Sequence, residues 1–157
     1  MEEYIRPYFS VVIPAYNAEK YIVSTLKSVV SQTFNDYEVV IVNDGSTDDT
    51  LRIVERFICN LDNKQWKIIS QRNKGIGGAR NTGIKSSNGR FIAFLDADDR
   101  WYPSKLFVIH DFLVQHPEVD LVCHDENWII DGHNKGRKSY GPYKTYKELL
   151  FRGNCIS

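Results

Sequence analysis

From Phe9 onward, short continuous apolar runs alternate with segments whose apolar residues recur every three or four positions. The two periods predict strands and helices in turn. Strands are expected at Phe9 to Ile13, Tyr37 to Val42, Trp66 to Ser70, Arg90 to Leu95 and Val119 to His124. Between the first two, Ile22, Leu26, Val29 and Val30 fall at helical spacing. Leu51, Val54 and Ile58 do so after the second strand, and Leu106, Ile109 and Leu113 after the fourth. Each helix therefore carries one stripe for a core. Apolar strands alternating with such helices imply an α/β fold with a mostly parallel central sheet and helices on both faces. The breakers agree: Pro14 follows the first strand, Asp44-Gly45-Ser46 the second and Gly75 to Gly78 the third, and Pro103 stands at a helix start. Near the end, the polar stretch Asp131 to Gly141 reads as an exposed loop or hairpin turn, while Tyr146, Leu149 and Leu150 give Tyr143 to Arg152 a helical period.

Composition narrows the classes. At 157 residues and 42% hydrophobic content the chain is expected to be one soluble globular domain with a real core. Lys+Arg and Asp+Glu both number 20, and the pI is near 6.9, so no electrostatic footprint for nucleic acid is present. The start Met1-Glu2-Glu3-Tyr4 lacks the basic and apolar regions of a signal peptide, and no run reaches the ~18 apolar residues of a membrane span. A cytoplasmic location follows as the expectation. Cys59, Cys123 and Cys155 are odd in number and form no C-x-x-C pair, and the four histidines show no ligand spacing, so neither a disulfide framework nor a zinc site is expected.

Four strand ends carry the candidate chemistry, and in an open α/β sheet such loops converge on one crevice. After the first strand, Pro14 removes an N–H and turns the chain away, which frees the Ala15 and Tyr16 backbone for a ligand. Tyr16 suits the face of a nucleobase, although an aromatic there equally serves a core. Asp44 sits at the tip of the second strand. Ser46 or Thr47 is expected to cap the following helix, with Asp48 and Asp49 in its first turn, which leaves the Asp44 carboxylate free to accept from a base N–H or a ribose hydroxyl. The third loop, Asn73 to Gly83, is glycine-rich, with Gly75 opening it to close backbone approach and Arg80 able to reach a phosphate or ribose. It matches neither a Walker A loop nor a dinucleotide fingerprint. The fourth end, Phe94-Leu95-Asp96-Ala97-Asp98-Asp99, places three acids after a buried strand. Acids there serve as caps or solvated turn residues, or as hard oxygen ligands for Mg²⁺ or Mn²⁺, which draw their remaining ligands from water and phosphates.

Taken in order, Val11 to Asn17, Val42 to Asp49, Lys74 to Gly83 and Phe94 to Asp99 resemble the nucleotide-sugar half of family 2 glycosyltransferases, over roughly residues 8 to 125. The resemblance implies a Rossmann-like GT-A fold. It further implies that Pro14, Ala15, Tyr16, Asn17 and Asp44 hold the nucleoside, that Gly75 and Arg80 lie near the ribose or diphosphate, and that Asp96 and Ala97 face the ribose or sugar. Asp98 would coordinate Mn²⁺ or Mg²⁺. The implied reaction is inverting transfer from a nucleotide-diphosphate sugar, a UDP-sugar first among them, to a glycan or lipid-linked acceptor. A lipid-linked acceptor would bring the complete protein to the inner membrane face. The family's general base belongs to a later acidic motif, so residues 1–157 are expected to form a single, C-terminally truncated domain whose base and acceptor part lie beyond residue 157. The competing readings are a nucleotidyltransferase, which would carry a glycine-rich basic loop where Pro14 to Asn17 stand, and a noncatalytic nucleotide-binding module.

Overall fold

A computed structural model gives the structure and describes residues 6–61, 65–130 and 133–139. The chain divides into two compact units, residues 1–108 and 109–157. In the larger unit lie β1 (Phe9–Ala15), α1 (Ile22–Val30), β2 (Tyr37–Asn43), α2 (Thr50–Cys59), β3 (Trp66–Ser70), α3 (Gly75–Lys85) and β4 (Phe91–Phe94), and α4 (Lys105–Gln115) runs across the boundary. All pairings of the four-stranded sheet are parallel, in the order β3-β2-β1-β4. Right-handed crossovers then put α1 and α2 on one face and α3 on the other. The packing agrees, with α1 against α2 and α3 against β1 and β2. The α/β expectation holds.

Each face has its own core. Val12, Val40 and Val42 are buried under Ala79 of α3, with Ile69, Ile92 and Phe94 packed around them. Strand alternation sends Val11, Ile13, Val39 and Ile41, all fully buried, to the opposite face, where α1 buries Ile22, Leu26 and Val29. The helix α3 comes so near β1 that a Cβ on Gly83 would lie 2.3 Å from Val12 Cγ1. Only glycine admits that approach.

Most strand limits fall within one residue of the sequence reading, and two differences are larger. β1 runs through Pro14 to Ala15, where the sequence suggested an end at Ile13. Val12 bonds toward β4, its carbonyl accepting from Leu95 N–H, and Pro14 shares its parity. The N–H that Pro14 lacks would therefore have pointed to the β4 side, where the ladder has already ended at Val12, while Ala15 continues on the β2 side and accepts from Asp44 N–H at 2.8 Å. The second difference is larger still. Residues 119–124 form no strand; in the smaller unit β5 (Glu126–Ile130) pairs instead antiparallel with β6 (His133–Lys138), so residues 133–138 of the stretch expected as an exposed loop or hairpin turn are strand. Apolar residues make a strand only where a partner satisfies their N–H and C=O groups, and the near partner in sequence pairs with 126–130; Leu121 is left 61% exposed. The segment Tyr143 to Arg152 and Cys155 lie outside the described residues. No helix among the described residues is long and apolar enough to cross a membrane.

At the amino end of the sheet, Glu38 is buried and fully engaged. It accepts from the Ser10 hydroxyl at 2.6 Å, Lys67 Nζ at 3.0 Å, the Asn88 amide at 3.2 Å and the Asn88 backbone N–H. Burial pushes its carboxyl up, but the hydrogen bonds from Ser10 and Asn88 and the Lys67 charge outweigh burial and hold it below the usual value of 4.5. A depressed folded-state value contributes stability that is fully present above 4.5 and is lost as pH falls through the folded value. Glu38→Gln, which turns an N–H₂ toward these donors, should cost roughly 2 kcal/mol at pH 7. The same change should flatten the acid limb when urea midpoints are followed from pH 7 downward.

Candidate functional site

The sheet reverses direction at β1, with β2 on one side and β4 on the other, and ligands bind outside the carboxyl ends of strands at such a switch point. A cleft of about 440 Å³ opens there. Among the predicted positions, Pro14, Ala15, Tyr16, Asn17, Asp44, Gly75, Asp96, Ala97 and Asp98 line it, and Arg80 does not. Tyr21 and Ile76, which the sequence reading did not single out, line it as well. Tyr16 and Tyr21 are each 53% exposed and Ile76 57%, so these apolar groups are cleft walls and not core. Surfaces of this kind suit a flat ring such as a nucleobase.

The first loop is stitched to the second. Asn17 adopts a left-handed backbone, φ 49, which asparagine tolerates better than most side chains. Its Oδ1 accepts from Thr47 N–H at 2.8 Å, and its own N–H donates to Ser46 Oγ at 3.2 Å. Ala18 N–H donates to Thr50 Oγ1 at 2.7 Å and Glu19 N–H to Asp48 Oδ2 at 3.1 Å. Ser46 and Thr47 therefore fasten the loops together and do not cap α2. Asp48 serves that end, accepting from Thr50 N–H at 3.0 Å and from its hydroxyl at 2.6 Å. Slight burial raises the Asp48 carboxyl, but these bonds and the one from Glu19 N–H prevail and keep it below the ordinary carboxylate range.

Asp44 is 2% exposed and already engaged, which differs from the free carboxylate expected of it. Its Oδ1 accepts from Gln71 Nε2 at 2.6 Å and Lys74 N–H at 2.9 Å, and its Oδ2 lies 3.1 Å from the same N–H. Gln71 Oε1 in turn accepts from the Thr82 hydroxyl at 2.7 Å. A chain from β2 through the third loop to α3 results.

The acids after β4 divide. Arg80 Nη2 pairs with Asp96 Oδ1 at 2.8 Å, and the guanidinium lies over the Phe94 ring at 5.5 Å from its centroid. Arg80 Nε is buried without a partner among the described residues. Arg80 thus acts on the cleft through Asp96, where the sequence reading had it near the ligand itself. Asp98 lines the cleft, is exposed and has no hydrogen-bond or ion-pair partner among the described residues. No group of three or more His, Cys, Asp or Glu gathers among the described residues. A hard divalent cation at Asp98 would therefore have to draw most of its ligands from water and phosphate oxygens, as Mg²⁺ does. Asp125 is bonded to Arg137 and Ser139.

A set of polar residues on α1 and just past its end escaped the sequence reading. The loop after β4 is hung on them: the Thr25 hydroxyl donates to the Ala97 carbonyl at 2.8 Å, Trp101 N–H to Ser28 Oγ at 3.2 Å, and Leu106 N–H to Gln32 Oε1 at 3.0 Å. Gln32 Nε2 also donates to Tyr102 O at 2.9 Å. The available signal was Thr25, Ser28 and Gln32 standing at three- and four-residue spacing alongside the apolar stripe of α1 and just beyond it.

Comparison with known proteins bears on this arrangement. The profile of Glycosyl transferase family 2 matches residues 10–155. The chain is 50% identical over 137 residues to the chondroitin synthase of Escherichia coli, a match that covers 82% of this chain and 19% of that protein, so it spans about a fifth of that relative's length. Among solved structures, TarS 1–349 of S. aureus in complex with UDP-GlcNAc superposes with a TM-score of 0.67 at 34% identity, covering 80% of this chain and 36% of that one. A mannosyltransferase of Pyrobaculum calidifontis in complex with GDP-Man and Mn²⁺ gives 0.58 at 28% identity, over 62% of this chain and 29% of that one.

Proposed function

Because this chain belongs to glycosyl transferase family 2, we propose that it forms the donor site of a metal-dependent, inverting glycosyltransferase that uses a nucleotide-diphosphate sugar and acts on a glycan acceptor. The observation that carries this reading is the pair of unlike carboxylates at the switch-point cleft, Asp96 held by Arg80 and Asp98 left open. Tyr16 and the latched backbone of residues 14–17 receive the nucleoside, with Asp44 beneath. Asp96, its charge offset by Arg80, faces the ribose or sugar with Ala97. Gly75, at φ 72 at the start of α3, lets the backbone come close to the diphosphate. Asp98 holds Mn²⁺ or Mg²⁺; when bound, such an ion offers Lewis-acid stabilisation of the departing nucleoside diphosphate. The bond from the anomeric carbon to phosphate oxygen breaks as an acceptor hydroxyl attacks from the opposite face, and the hydroxyl proton passes to a base. UDP heads the candidate nucleotides, supported by the likeness to TarS in its UDP-GlcNAc complex, and the GDP-Man complex of the second neighbour makes GDP the first competitor.

Calorimetric titration with UDP, GDP and dTDP, each in Mn²⁺ and again in chelator, tests the reading. One nucleotide should bind at least about tenfold more tightly with metal, a gain of about 1.4 kcal/mol. A folded chain that binds none of the three would overturn it.

A further inference from the structure

We propose that Thr25 is a positioning residue for the metal-bearing loop, an assignment that rests on the donor-site reading above and extends it to a helix that does not hold the ligand. Thr25 is fully buried, and its hydroxyl lies 2.8 Å from the carbonyl of Ala97, the residue between Asp96 and Asp98. The peptide that joins the two aspartates is thereby fixed from the α1 side. On the other side Arg80 of α3 fixes the Asp96 carboxylate. Asp98 itself is exposed and untethered, so its placement depends on the backbone that carries it.

The hydroxyl does what an apolar residue of the same shape could not. A loop that leaves a buried strand end presents carbonyls that must find donors, and the hydroxyls of α1 stand where the helix faces that loop. Ser28 repeats the device one turn on, accepting from Trp101 N–H while its own hydroxyl donates to the Thr25 carbonyl at 2.7 Å. Gln32 repeats it another turn on, toward Tyr102 and Leu106. Thr25 and Ser28 of α1 and Gln32 just past its end thus form a template along residues 97–106. A cation bound here would be held on the protein side by Asp98, and residues that position a metal ligand commonly carry tenfold effects or more on binding.

The test compares UDP affinity in Mn²⁺ and in chelator for the wild-type chain, Thr25→Val and Thr25→Ser. Thr25→Val keeps the β-branched shape but leaves the Ala97 carbonyl without its donor. It should reduce Mn²⁺-dependent affinity about tenfold while affinity in chelator stays within twofold, and Thr25→Ser should restore the wild-type difference. A purely structural role would move both affinities together or neither; either result overturns the assignment. If Thr25→Val fails to fold, Ser28→Ala is read on the same two affinities with the same criteria. A wild-type chain that shows no Mn²⁺-dependent UDP binding would overturn the donor-site reading and this assignment with it, whereas wild-type binding unchanged in the variants overturns this assignment alone.

Discussion

Asp98→Ala is expected to abolish the metal-dependent part of UDP binding, a loss of about a hundredfold or more when the chain is titrated in Mn²⁺. The size follows from how few ligands the protein supplies. Removing a residue that only supports a metal ligand already costs about 10- to 100-fold in affinity, and Asp98 is in the proposal the ligand itself. Asp96 cannot replace it without giving up Arg80, whose charge-assisted bond at 2.8 Å holds it, and the described residues gather no group of three ligand-type side chains to compensate. In chelator the variant and the wild-type chain should bind UDP alike, because the walls formed by Tyr16 and the first loop are untouched. Asp98 is exposed and has no partner among the described residues, so the melting temperature should move little. Retention of the Mn²⁺ effect in Asp98→Ala would remove Asp98 as the metal's ligand.

The contrast between Asp98 and its neighbours shows what is legible in a sequence of this kind. Strands β1 and β2 could be placed because a central parallel strand is apolar on both faces, and the edge strands β3 and β4 because their shorter apolar runs end, like the central ones, at breakers local in sequence. The run Val119 to His124 looked the same but formed no strand, since pairing is decided by a partner and not by the run itself. The residue types of the site were equally readable: an acid, an aromatic or a glycine stood at each strand tip. Their bonds were not. That Asn17 would clamp the first two loops, that Arg80 would spend its charge on Asp96, and that Thr25, Ser28 and Gln32 would hold the loop after β4 are all contacts between residues 16 to 74 positions apart, and no local pattern names their partners.

Asp44 is where that gap matters most, and replacing it should have the largest effect on stability. Asp44→Ala is expected to cost about 3 kcal/mol, because it strips acceptors from two donors at once: Gln71 Nε2 at 2.6 Å and Lys74 N–H at 2.9 Å, each worth about 1–3 kcal/mol when left unpaired away from water. The damage should spread along the chain of bonds, since Gln71 positions Thr82 of α3 and Lys74 directly precedes that helix. Asp44→Asn keeps the volume but presents an N–H₂ to at least one of those donors, so roughly half of the loss should remain. Urea midpoints read the stability, and UDP titration separates the two aspartates. For Asp44 variants that stay folded, affinity should fall by the same factor in Mn²⁺ and in chelator, because what is disturbed is the floor under the nucleoside. For Asp98 only the Mn²⁺ arm should fall. An Asp44→Ala chain as stable as the wild type would mean that the third loop is held by other contacts, and that the buried carboxylate is kept for the ligand alone.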